Sequence, residues 1–156
     1  MASKLRKKFA KEEVLSFDLN SLAGLMSMFL NDLLYLHHHA VGDKFDTIHG
    51  VTDELYKKAL EHLDSLSEQA MIWKEYIGNY AFLSEETVKI YGQPCEEDKI
   101  DWMTFINILD DKGNIIVDAL RSVSNRYTSD VKSLIDEMVI FWNKEINYRN
   151  AARLNG

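Results

Sequence analysis

Proline occurs once in this chain, at Pro94, and on both sides of it apolar residues recur at steps of three and four. Such spacing lays apolar side chains along one stripe of a helix, and the scarcity of proline leaves the stripes unbroken, so the chain is constrained to long amphipathic helices. A first helix is expected from Leu15 to His39, carrying Leu19, Leu22, Leu25, Met26, Phe29, Leu30, Leu33, Leu34 and Leu36. Gly42 interrupts, and Asp43 and Asp46 can accept the free N–H groups of a second helix, expected from Lys44 to Tyr80 with Gly78 as an alternative end. Ala81 to Lys99 reads as a connection with a short helix at Glu85 to Tyr91, because it holds Gly92, Pro94 and the acidic run Glu96, Glu97, Asp98. A third long helix is expected from Ile100 to Asn125, kinked or split at Gly113 and Asn114, and a fourth from Thr128. No strand pattern competes. The expected fold class is all-α, an antiparallel four-helix bundle whose long connection carries a short helix.

At 156 residues the chain is long enough for one core. Residues 1 to 14 read as a basic tail and residues 15 to 156 as the bundle domain. Cys95 is the only cysteine, which excludes an intrachain disulfide and a thiolate metal cluster. The charged opening MASKLRKKFAKEE reads as neither signal peptide nor anchor, and no apolar run is long enough to span a membrane; a cytoplasmic protein is expected. The net charge of -7 repels nucleic acid on average, yet Lys4, Arg6, Lys7, Lys8 and Lys11 concentrate positive charge in the tail, where DNA phosphates can be contacted. The plain alternative is a solvated terminus.

The chemistry is concentrated between His37 and Glu68. His49 and Asp53 stand four apart, as do Asp64 and Glu68, and all four fall within about 100° of one helix face. His37 precedes His49 by twelve residues across the turn at Gly42 and can fold over to join it. Asp53 and Asp64, however, are eleven residues apart, about 16 Å along an axis, too far to share a metal in one straight helix. A second chain running antiparallel resolves this. A twofold axis near residue 58 or 59 brings His49 and Asp53 of one subunit to Asp64 and Glu68 of the other, twice per dimer. Two imidazoles and three carboxylates suit iron or a similar divalent first-row metal. Taken separately, each pair also fits a solvated face near Lys57, Lys58 or Lys74. His62 reads as a surface histidine, and Trp73, Trp102 and Trp142 as core or interface residues.

The series His37, twelve, His49, four, Asp53, eleven, Asp64, four, Glu68 resembles the ferroxidase motif of the mini-ferritins, the Dps family. Leu19, Asn20, Gly42, Phe45 and Tyr56 fit the same register, so the resemblance covers about Leu19 to Glu68, with Thr128 and Asp130 matching a further element at the start of the last helix. It implies a ferritin-like bundle, a shell of twelve subunits, and oxidation of Fe(II) by hydrogen peroxide or oxygen at di-iron or mixed-occupancy sites between subunits. It also implies mineral storage, protection of DNA, in some members binding of DNA through the tail near the nucleoid, and a pore lined at Asp130. The chain departs from the family at His38, where tryptophan is usual, at Ser67 and Gln69, and over Arg121 to Arg126, where an acidic stretch is usual. An assembly or DNA-binding protein with a structural or vestigial metal site is the rival reading, and a dimeric metal sensor the third.

Overall fold

The structure, a computed structural model, describes residues 18–75, 78–80 and 83–155. The basic residues Lys4, Arg6, Lys7, Lys8 and Lys11, and positions 15 to 17 of the first expected helix, lie outside that range. Helix α1 runs Leu19–His39, α2 Phe45–Ile72, α3 Glu85–Tyr91, α4 Trp102–Val123 and α5 Ser129–Lys144; a π-helical turn at Glu145–Asn150 continues α5 into α6, Ala151–Asn155.

Three of these helices start on side-chain caps. The Asp18 carboxylate accepts from the Ser21 N–H, the Ser84 hydroxyl from the Thr87 N–H, and the Asp101 carboxylate from the Thr104 N–H, each satisfying a donor that has no partner within its helix. At α2 the expectation fails: the capping position is Lys44, no side chain caps it, and Asp46 contributes only as an acidic residue in the first turn. The chain turns into α2 through Gly42 at φ +94°, a conformation that glycine adopts without steric cost.

The second helix is also shorter than its sequence pattern, ending at Ile72 rather than near Gly78 or Tyr80. Its end is a Schellman motif, in which the Glu75 N–H bonds the Ala70 carbonyl, the Lys74 N–H bonds the Met71 carbonyl, and Lys74 takes the left-handed φ of +56°. A lysine in the position that usually holds glycine hides this stop from a sequence reader. The turn brings Glu75 to the start of α1, where its carboxylate accepts from the Leu19 N–H at 3.0 Å and from the Tyr127 hydroxyl at 2.9 Å. Three separate segments of chain are thereby tied at one end of the bundle.

The long helices bury one continuous core that includes Leu25, Phe29, Leu33, Leu66, Phe105, Leu120, Ile135 and Trp142. Helix α1 packs on α2 and α4, and α4 on α5. Helix α4 is not split at Gly113, which lies within the continuous element. A Cβ there would collide with the Ile146 side chain, so this glycine permits close approach of α4 to the π-helical turn. The connection holding α3 is fixed by the buried Asp32 of α1, which accepts from the Tyr91 hydroxyl and, at 2.9 Å, from the Cys95 N–H. A two-residue bridge between Ala40 and Ile100 then joins the end of α1 to the approach to α4. Among the described residues no helix is long and apolar enough to cross a membrane.

Candidate metal centre

The turn at Gly42 returns the chain so that the last turn of α1 meets the first turns of α2. His37 lies on His49, the ring centroids 3.7 Å apart and the planes 28° from parallel, and Phe45 also stacks on His49, at 5.3 Å. Nδ1 of His37 is 3.0 Å from the His49 carbonyl oxygen and 3.0 Å from the Thr52 hydroxyl. A carbonyl oxygen only accepts, so Nδ1 carries the proton and Nε2 is left with the lone pair that a metal requires. Thr52 is held in turn by donating to the Ile48 carbonyl at 2.7 Å. Fixing one imidazole nitrogen by a backbone carbonyl is the usual way a metal-binding histidine is oriented.

The electrostatics agree with that role. Desolvation, followed by the neighbouring His49, lowers the His37 pKa, which favours the neutral, ligand-competent imidazole. Asp53, one turn beyond His49, is held below the usual carboxylate range by its hydrogen bond with the Lys57 ammonium at 2.9 Å, and His37 and His49 add to the effect. Two imidazoles and an ionised carboxylate therefore form one polar end of the α1–α2 hairpin, a donor set compatible with iron or a similar divalent metal.

Asp64 and Glu68 lie on the same helix farther along, exposed to solvent. Among the described residues of a single chain, no group of three or more His, Cys, Asp or Glu side chains is gathered closely enough to hold a metal ion. The five sequence candidates thus divide into the contacting pair His37 and His49, Asp53 one turn beyond His49, and a separate pair of acids farther along α2. Lys57 and Lys58 pair with Asp53 and Glu61, and Asp64 and Glu68 form no salt bridge among the described residues. The same surface carries Leu60, 51% exposed, within about 20° of His49 on the helix face.

Of the neighbouring histidines, His38 is exposed and His39 stacks on Tyr35 at 3.8 Å. His62 is buried, contrary to the surface position expected for it, and accepts a hydrogen bond from the Trp142 indole. Trp142 is fully buried, Trp102 partly buried, and Trp73 exposed while packing edge-on against Tyr127. Asp130 is exposed at the start of α5, where the Thr128 hydroxyl donates to it at 2.5 Å. Thr52 was not legible as part of the cluster; its only sequence signal is its place one turn beyond Ile48, facing the returning α1.

No family profile and no curated protein matches the sequence. Among solved structures, the chain is similar to a Dps protein from Vibrio cholerae O1, described as a member of a broad superfamily of ferritin-like diiron-carboxylate proteins. The TM-score is 0.73, with 97% of this chain and 91% of that one covered at 18% sequence identity. The fold is ferritin-like. Within a ferritin-like bundle the link from α2 to α4 is a long crossover, and here α3 together with its Asp32 anchor makes up that crossover.

Proposed function

We propose that this chain is a divergent member of the Dps family that oxidises and stores iron at sites shared between two subunits. The observation that carries the reading is the His37–His49 stack, with Nδ1 of His37 bonded to the His49 carbonyl and Asp53 beside it. It supplies half of a ferritin-like metal site on a surface that also carries the exposed acids Asp64 and Glu68. A twofold axis near residues 58 and 59 pairs His49 with Glu68 and Asp53 with Asp64 of the second subunit, and buries Leu60, otherwise a large apolar side chain left in water.

Fe(II) is the substrate. Asp64 and Glu68 from one subunit and His37, His49 and Asp53 from the other offset the charge of the bound ions and hold them near each other. Two ferrous ions give up one electron each to one molecule of hydrogen peroxide; its O–O bond breaks, two protons are taken up, and two waters leave. Because both electrons pass to one peroxide, no hydroxyl radical is released, and DNA nearby is spared. In this reading twelve subunits enclose the ferric product, in the cytoplasm near the nucleoid, and the tail residues Lys4, Arg6, Lys7, Lys8 and Lys11 contact DNA.

Asp64→Ala combined with Glu68→Ala tests the assignment. Anaerobically loaded protein mixed with hydrogen peroxide should oxidise Fe(II) at least tenfold more slowly than the unchanged chain, and equal rates would refute it. A second reading, an assembly protein without oxidase activity, is favoured by the exposed Arg121 and Arg126 where an acidic iron route is expected.

A further inference from the structure

The acids of the candidate site differ in one respect: among the described residues Asp53 is paired with a lysine, and Asp64 and Glu68 form no salt bridge. The Lys57 ammonium lies 2.9 Å from Oδ2 of Asp53, one helical turn away, with both side chains substantially exposed. Asp53 lies within electrostatic reach of His37 and His49, so Lys57 sits on the one anionic group which that half of the site offers. We propose that Lys57 is a tethered competing cation, which occupies Asp53 in the empty protein and must leave before a divalent metal binds there. The proposal rests on the metal-site reading above, in which Asp64 and Glu68 hold the first ion, and adds what weakens the second on the His49 and Asp53 side.

The strength of the pair suits this role. An exposed pair four residues apart on a helix is worth only a factor of about two, weak enough for a divalent ion to displace. The displaced ammonium remains tethered within a few ångströms and continues to repel the ion, so the two effects together lower the affinity of that half by about five- to tenfold. Because the competition is between exposed charges, it is screened by salt.

The test is an anaerobic titration with Co(II), followed by its visible absorption, on the full chain and on Lys57→Met and Lys57→Arg. At low ionic strength Lys57→Met should bind the second Co(II) about five- to tenfold more tightly than the unchanged chain, Lys57→Arg should resemble the unchanged chain, and the gap should close in 1 M NaCl, where charges are screened within about 3 Å. Equal affinities for Lys57→Met and the unchanged chain at low salt would overturn the proposal. So would a gap that persists undiminished in 1 M NaCl, which would mark a packing effect. His49→Ala and Asp53→Ala separate the two levels of argument: if neither weakens Co(II) binding, the metal-site reading fails and this inference with it.

Discussion

The indole N–H of Trp142 donates a 2.8 Å hydrogen bond to Nδ1 of His62, joining α5 to α2 inside the core. Nδ1 must therefore hold a lone pair, and the imidazole is neutral in the folded chain. Burial, followed by the nearby Lys58, pushes its pKa down to about 4. In the unfolded chain His62 protonates near its ordinary value of 6.5. Between these two values the unfolded state binds a proton that the folded state refuses, so stability falls as pH drops from about 6.5 to about 4 and is fully present above that window. The loss amounts to as much as about 3 kcal/mol. Urea unfolding at a series of pH values should show this slope and His62→Gln should flatten it; an unchanged slope would contradict the neutral buried imidazole.

Gly113 marks a close approach of α4 to the π-helical turn, where an added Cβ meets Ile146. Gly113→Ala should destabilise the bundle by about 1–3 kcal/mol despite the better helix propensity of alanine, because the close packing there leaves no room for a methyl group. The double change Gly113→Ala with Ile146→Val should recover part of the loss. Thermal unfolding of the two variants measures both outcomes.

The fold was legible in the sequence wherever an apolar stripe ran to a recognisable stop. The three- and four-residue spacing and the scarcity of proline fix the long helices, and α3 spans Glu85–Tyr91 ahead of Gly92 as expected. Legibility failed where tertiary contacts decided the outcome. Lys74 ends α2 in a conformation that favours glycine, because Glu75 is drawn to Leu19 and Tyr127. Gly113 looks like a helix breaker and is instead a packing contact. His62 looks like a surface residue because its partner, Trp142, lies eighty residues away. Within the candidate site, the meeting of His37 with His49 followed from spacing and one turn. The Thr52 hydroxyl and the Lys57 ion pair did not, since each depends on a side-chain direction that spacing alone leaves open.

The central claim is that each metal site is built from two chains, and subunit complementation tests it most directly. One variant carries His49→Ala and Asp53→Ala, the other Asp64→Ala and Glu68→Ala; each alone has every site broken. When the two are unfolded together and refolded, a mixed dimer combines one doubly damaged site with one intact site. Random pairing then restores about a quarter of the native number of sites. Stopped-flow oxidation of Fe(II) by hydrogen peroxide should show two inactive variants and a co-refolded mixture with roughly that fraction of the native amplitude. A mixture as inactive as its components, or full activity in either variant alone, would contradict a site shared between subunits.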